Sequence, residues 1–330
     1  MNRTVLVTGG AGYVGSALVP KLLAAGHRVK VIDLYPWGPS PFQADPNLTE
    51  IEGDIRDRNR VDEAMSGCDS VIHLACISND PSFELDPELG KSINYDCFPG
   101  LVESAKDHGV ERFVYASSSS VYGIKDVPEV HEELALEPLT DYSTFKAMCE
   151  EILLDAREDG FRVLVLRPAT VCGYSPRLRL DVVVNLLAAH AYYNRRIKVL
   201  GGPQLRPNIH IADMCALYLA SLEWDPDVFD GGVYNAGYEN HSVTQLAELV
   251  RGVVGNDVEV VTEPTNDLRS YHVSSKKIER ELGFRPEHTI EEAVKGLVAA
   301  FAAGKAPGAM EDPRYYNIRT MGSISSLVRR

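Results

Sequence analysis

The sequence predicts an α/β fold: a doubly wound parallel sheet with a smaller, interleaved α/β lobe. Short β-branched runs alternate with stretches of helical apolar spacing through the first half, which implies a parallel sheet covered on both faces. That rhythm breaks after Arg167, where sequence rich in Arg, Pro and Gly surrounds a single helical stretch. A chain of 330 residues is long enough for one large unit or for two lobes sharing a cleft.

The strands expected, in order, are Thr4–Thr8, Arg28–Asp33, Thr49–Glu52, Ser70–Leu74, Arg112–Ser117 and Arg162–Arg167. Gly15–Ala25 and Phe98–His108 fit amphipathic helices, and Tyr142–Glu158 reads as another. Gly26, Gly109 and Gly160 stand where such helices need a left-handed terminal residue. Further on, Leu180–Tyr193 and 243–253 read as helices and Val233–Asn235 as a strand, while 256–330 holds mixed short elements and a polar tail. The sheet domain is drawn as 1–173 plus about 211–240, and the lobe as about 174–210 plus 241–330.

The 33 basic residues are outnumbered by 47 acidic ones, and no basic run exceeds Lys276-Lys277 or Arg329-Arg330. A nucleic-acid partner, which needs a clustered positive field, is therefore disfavoured. A few local arginines and helix N-termini can still recognise an anion. Six scattered cysteines form no Cys-x-x-Cys pair and read as small buried hydrophobes, so neither a disulfide framework nor a metal site is expected. Residues 1–8 run straight into a strand without a charged leader, and the apolar Leu180–Tyr193 region is interrupted by Asp181, Asn185 and His190. No membrane segment and a cytoplasmic location are expected.

Thr8-Gly9-Gly10-Ala11-Gly12-Tyr13-Val14-Gly15 follows the first strand and opens the first helix. Gly9 permits a tight turn, Gly12 lets backbone approach a pyrophosphate, and Gly15 allows close helix–sheet packing. The helix N-terminus adds unpaired N–H groups and a favourable dipole. Asp33 ends the second strand, 18 residues after Gly15, where a carboxylate would accept the adenosine ribose diol and repel a 2′-phosphate. With no arginine in Leu34-Tyr35-Pro36, the pattern favours NAD over NADP and makes the fold Rossmann-type.

Tyr142 and Lys146 lie four apart in a helical segment and so share a face. A nearby ammonium favours the phenolate, which lets the phenol act as acid or base near neutral pH. Such a pair means little alone, but Ser117-Ser118-Ser119-Ser120-Val121-Tyr122-Gly123 follows a strand whose end can present a hydroxyl to the same cleft. A flexible serine turn explains Ser117, Ser119 and Ser120 equally well.

With these residues in place, the chain resembles the extended short-chain dehydrogenase/reductases, specifically the nucleotide-sugar epimerase/dehydratase branch. The likeness covers most of 1–290 and rests on the glycine turn, Asp33, Gly53-Asp54-Ile55, Val71-Ile72-His73-Leu74-Ala75, Asn94, the serines, Tyr142 with Lys146, and Arg167-Pro168-Ala169. It implies Ser118, Tyr142 and Lys146 as the catalytic trio, and Gly9, Gly12, Tyr13, Val14, Gly15 and Asp33 as cofactor-binding. It further implies that Asp54 and Ile55 bracket the adenine, that Leu74 and Ala75 line the cofactor cleft, and that Lys146 holds the nicotinamide ribose beside Pro168. Tyr142 and Asn94 count among the cofactor-binding residues too, with Asn94 standing behind Lys146 as a structural or relay residue.

The family's 4,6-dehydratases carry Asp-Glu directly after the catalytic hydroxyl residue, an acid and a base for eliminating water. Here Ser119 and Ser120 stand there, which disfavours dehydration. Arg206, opening Arg206-Pro207-Asn208-Ile209-His210, resembles the family's grip on a nucleotide diphosphate, with Arg269 a second clamp and Asn185 a third polar contact. Ser78, Ser118 and Ser119 are expected against the sugar. Arg177 and Arg179 are extra charges near the entrance, expected to pair with acidic neighbours rather than bind a carboxylated or phosphorylated sugar. His73 and His210 read as structural.

The expected partner is a nucleotide-diphosphate sugar, and the expected reaction a 4-epimerisation with tightly bound NAD through a transient 4-keto sugar. The alternatives are a 4-ketoreductase or dehydrogenase, a 4,6-dehydratase drawing its acid from Asp80 or Glu129, and a non-catalytic NAD-binding regulator. By analogy, the helices at 98–108 and 142–158 would make a homodimer.

Overall fold

The structure is a computed structural model, and it describes residues 2–265, 270 and 272–328. Its organising element is a seven-stranded sheet in the order β10-β6-β5-β4-β1-β2-β3. The members are β1 (Thr4–Thr8), β2 (Arg28–Asp33), β3 (Leu48–Glu52), β4 (Ser70–His73), β5 (Arg112–Ala116), β6 (Arg162–Pro168) and β10 (Gly232–Ala236). Every neighbouring pair is parallel. This is the Rossmann-type fold, and the order reverses between β1 and β4, where such sheets open a crevice at their C-terminal edge.

β1 (Thr-Val-Leu-Val-Thr) is buried along its length because helices cover both faces. Leu6, Ile32, Val71, Phe113 and Val165 pack one face; Val5, Val7, Val31, Ile72 and Leu164 pack the other. The turn glycines take their expected conformation, with φ of 87° at Gly26, 71° at Gly109 and 87° at Gly160.

The smaller lobe combines a three-stranded sheet with a parallel pair. β7 (Thr170–Cys172), β9 (Leu205–His210) and β11 (Glu239–Ser242) form the sheet, in the order β11-β9-β7. β8 (Arg196–Leu200) pairs with β12 (Glu259–Glu263). The helices Val183–Asn194, Val243–Val254 and Ile290–Ala302 bury a core of their own under these strands.

Three elements depart from the sequence reading. The helix read as 142–158 ends at Asp155, because Glu158 and Phe161 close a short bridge around Gly160. The helix read from Leu180 begins at Val183, since the Asp181 carboxylate accepts from Arg179 Nε at 2.6 Å and from the Ile318 backbone at 3.3 Å. The polar tail forms a 12-residue helix, Asn317–Val328, and its Met321 and Ile324 are buried in the large domain's core rather than the lobe's.

His73 closes β4 with Nδ1 2.7 Å from Thr8 Oγ1 and its ring stacked on Tyr115. Burial, assisted by the Lys146 charge, pushes its pKa down to about 3. Between pH 6.5 and 3 the unfolded chain therefore binds a proton that the native state refuses, so native stability rises with pH across that window. Lowering the pH from about 7 to about 5 should cost the wild type about 2 kcal/mol more than it costs His73→Asn, by urea denaturation. Equal losses in the two proteins would show that His73 is not buried neutral.

Candidate active site

The crevice at the β1–β4 reversal is a cavity of about 440 Å³. The glycine turn forms its floor. Gly9 has a φ of 68°, and a Cβ there would lie 2.7 Å from the Ala75 backbone; at Gly15 it would lie 2.3 Å from the Gly10 carbonyl oxygen. Neither position admits a side chain, so the backbone of the turn and the N-terminus of the Gly15–Ala24 helix stay open to a ligand. Asp33 lies beside the turn, with Oδ2 accepting from the Ala11 N–H at 2.9 Å and Oδ1 from the Tyr35 N–H at 3.0 Å. Each oxygen keeps further lone-pair capacity for a diol. Burial raises its pKa, and the three backbone N–H groups of Tyr35, Ala11 and Leu34, with Arg177, act against that rise.

The helix Asp141–Asp155, which carries Tyr142 and Lys146, starts on a capping box in which Thr140 and Ser143 satisfy each other's backbone. The Thr140 hydroxyl also donates to Asp80 Oδ1 at 2.6 Å, tying the helix start to the loop after β4. Tyr142 and Lys146 both line the crevice, as do Ser118 and Ser119. Burial pushes the Tyr142 hydroxyl above the ordinary tyrosine range; Arg179 and a hydrogen bond with Ser118 pull it the other way. Ser118 Oγ also lies 2.8 Å from Ser120 Oγ and accepts from the Ser120 N–H at 3.1 Å, making a short hydroxyl relay. Lys146 donates to the Ala116 carbonyl at 2.6 Å, which anchors its ammonium at the end of β5.

Behind these groups lies a buried network that sequence reasoning left unread. Arg167 on β6 pairs with Glu150 on the Tyr142 helix, Nη2 to Oε2 at 2.6 Å, and both side chains are almost wholly buried. Glu150 also accepts from the Ser117 hydroxyl, and Arg167 donates to the Tyr122 hydroxyl at 2.7 Å, which donates to Asn235 Oδ1 at 2.8 Å. The Tyr142 helix, the serine turn and strands β6 and β10 are thus joined by one charged, low-dielectric cluster. Its sequence signal was Arg167 within Arg-Pro-Ala, whose buried partner lies 17 residues away.

Of the other cofactor candidates, Gly9, Gly12, Tyr13, Val14, Gly15, Asp54, Ile55, Leu74, Ala75 and Pro168 line the crevice. So do Ser78 and Arg206 among the substrate candidates, and Arg206 donates to the Leu205 carbonyl at 3.1 Å. Asn94 does not. Its amide brackets Ile77, accepting from the N–H at 2.8 Å and donating to the carbonyl at 2.9 Å, so it shapes the loop after β4. Asn185 does not either. It is fully buried, accepts from the Gly173 N–H at 2.9 Å and donates to the Arg179 carbonyl at 2.7 Å and the Tyr13 hydroxyl at 3.1 Å. These bonds consume its amide and fasten the lobe to the glycine turn, so its expected substrate contact is corrected to a structural one. Arg269 lies outside the described residues.

Arg177 departs from its expected pairing with an acidic neighbour, and Arg179 follows it. Arg179 does pair with Asp181, but both arginines also line the crevice, and Arg177 bonds the neutral Asn317 amide. Among the described residues no cluster of His, Cys, Asp and Glu has metal-ligating geometry, and no helix is long and apolar enough to cross a membrane.

Residues 5–237 match the model of the NAD dependent epimerase/dehydratase family. The chain belongs to that family. It is an NAD-dependent enzyme of the short-chain dehydrogenase/reductase type, and the glycine turn, which admits no Cβ at Gly9 or Gly15, fits that cofactor. A UDP-glucose 4-epimerase of Corynebacterium glutamicum is 29% identical over 86% of this chain and 91% of its own. DesIV, a dTDP-glucose 4,6-dehydratase from Streptomyces venezuelae solved with NAD and TYD, superposes with a TM-score of 0.83 at 26% identity, covering 94% of this chain and 99% of that one. MoeE5, solved with UDP-glucuronic acid and NAD, gives 0.80 at 28%, over 91% of this chain and 99% of that one.

Glu150→Gln tests the network behind the site, because it leaves the Arg167 charge buried without its counterion. Such a loss costs about 3–5 kcal/mol of stability, to be read from urea denaturation. A loss below about 1 kcal/mol would mean that the pair does not hold the Tyr142 helix.

Proposed function

We propose that this enzyme is a nucleotide-sugar 4-epimerase. The observation that carries the reading is that Ser118 and Tyr142 meet in the crevice while Ser119 and Ser120 follow directly, with no carboxylate in those positions. An epimerase needs one proton removed from the C4 hydroxyl and returned to it, which a phenol and a hydroxyl relay can do. Lys146 and Pro168 would hold the nicotinamide end of NAD, and the glycine turn and Asp33 its adenosine end. Bound there, NAD supplies the acceptor and later the donor of hydride at C4. Tyr142 would take the hydroxyl proton through or beside Ser118, and give it back after the 4-keto sugar has turned over in the pocket. Arg206 would hold the nucleotide diphosphate as the sugar turns.

Relatives support the sugar class without fixing its identity: one is a UDP-glucose 4-epimerase, and MoeE5 has been solved with both UDP-glucuronic acid and UDP-glucose. A 4,6-dehydratase is the second reading, favoured by the likeness to DesIV and by Asp80, which lines the crevice. Against it, the Asp80 carboxylate accepts from Thr140, and Glu129 lies outside the crevice paired with Lys276 at 2.8 Å. A homodimer through the Phe98–Asp107 and Asp141–Asp155 helices belongs to the same proposal, with light scattering as its test.

Purified protein incubated with nucleoside-diphosphate hexoses and uronates should invert C4 of one of them by NMR, with no net change in NADH absorbance. Net cofactor oxidation or reduction would indicate a 4-ketoreductase or dehydrogenase, and solvent deuterium entering C5 or C6 would indicate the dehydratase. Tyr142→Phe should lower kcat by at least about 10²-fold while NAD stays bound. Turnover within about threefold of wild type would remove Tyr142 from the reaction.

A further inference from the structure

The Asn317–Val328 helix takes no part in either sheet, yet it reaches the crevice, which both Asn317 and Ile324 line. It leaves the lobe at Tyr316, buried in the lobe core with its hydroxyl donating to the Ala309 carbonyl at 3.0 Å. It ends on the large domain, where Met321 and Ile324 are buried and the Ser325 hydroxyl donates to Asp86 Oδ2 at 3.2 Å. The helix therefore bridges the two bodies whose junction forms the site.

Its first residue is the joint. Asn317 Oδ1 accepts from Arg177 Nη2 at 2.6 Å, and its Nδ2 donates to Ser78 Oγ at 2.9 Å. The same Ser78 oxygen accepts from Arg179 Nη1 at 3.0 Å. The Arg177 guanidinium lies 3.6 Å above the Trp37 ring, in the segment after β2, while Ser78 lies in the loop after β4. Because β1 stands between β2 and β4, a link from Trp37 to Ser78 crosses the end of β1, where the glycine turn begins. The Arg177 backbone N–H confirms the position, donating to Ser16 Oγ on the helix that follows that turn at 3.1 Å. Arg177 is nine-tenths buried, lines the crevice, and its Nε–H has no hydrogen-bond partner. A guanidinium that lines the crevice beside the glycine turn is suited to an anionic oxygen.

We propose that the C-terminal helix is a strap across the cofactor cleft, and that Asn317 and the Arg177 guanidinium it holds close over the diphosphate of the dinucleotide. The strap retains cofactor between turnovers, and exchange requires Asn317 to part from Ser78 and Arg177. This rests on the NAD-binding reading and deepens it, since an enzyme that regenerates its own cofactor gains from not releasing it.

The test is the rate at which bound NAD(H) exchanges for isotope-labelled NAD in solution, followed by mass spectrometry. It compares the full chain with Asn317→Ala, Arg177→Met and a chain ending at Tyr316. Each loses a charge-assisted or bridging hydrogen bond to the closed state, so exchange should accelerate about tenfold or more. Should truncation disturb folding, Asn317→Ala keeps the helix and decides alone. Exchange within about twofold of wild type in Asn317→Ala overturns the strap, even if Arg177→Met is fast. A wild-type protein that binds no NAD overturns the cofactor reading and the strap together. A protein that holds NAD(H) but converts no nucleotide sugar defeats only the epimerase assignment.

Discussion

The site depends on the buried pair between Arg167 and Glu150. Tyr142 and Lys146 ride on a helix that contacts the sheet from one side, and Ser118 stands on a turn leaving β5. Glu150, on the same helix as Tyr142, accepts from Ser117, the residue before Ser118, while it is clasped by Arg167 on β6. One carboxylate thus registers the phenol-bearing helix against the hydroxyl-bearing turn, next to the strand that carries Pro168. Placing such a charge pair in the interior is costly unless its geometry is good and its remaining atoms are bonded, and here Tyr122 and Asn235 complete it.

A second constraint acts at the other end of the crevice. The glycine turn packs so closely on Ala75 and on itself that a methyl group would collide, and the Tyr13 hydroxyl donates to the Gly173 carbonyl at 2.7 Å. The glycine turn and the smaller lobe are therefore tied together. The chain's net charge of −14 does not describe the crevice, where Lys146, Arg177, Arg179 and Arg206 face Asp33, Asp54 and Asp80.

Much of this was readable from the sequence because it is local. The strands carry their own β-branched runs, the turn carries its glycines at fixed offsets, and Tyr142 and Lys146 need only helical spacing to share a face. What could not be read depends on pairs distant in the chain. Arg177 finds Asn317 140 residues away, and Ser78 finds it 239 residues away. Asn185 sits on a helix beside the crevice, but its amide is spent on Gly173, Arg179 and Tyr13, which only the lobe's docking angle reveals. In the tail, Met321 and Ile324 fall at helical spacing, but the core they join is built by the distant first half of the chain.

The central claim is that the Tyr142 hydroxyl works on the sugar's C4 oxygen. A crystal structure of the protein with NAD and a nucleoside-diphosphate sugar it converts measures that contact directly. The C4 oxygen is expected within about 2.6–3.2 Å of the Tyr142 hydroxyl, or of Ser118 relaying to it. A sugar bound with C4 turned away from both groups, beyond hydrogen-bond reach, would contradict it.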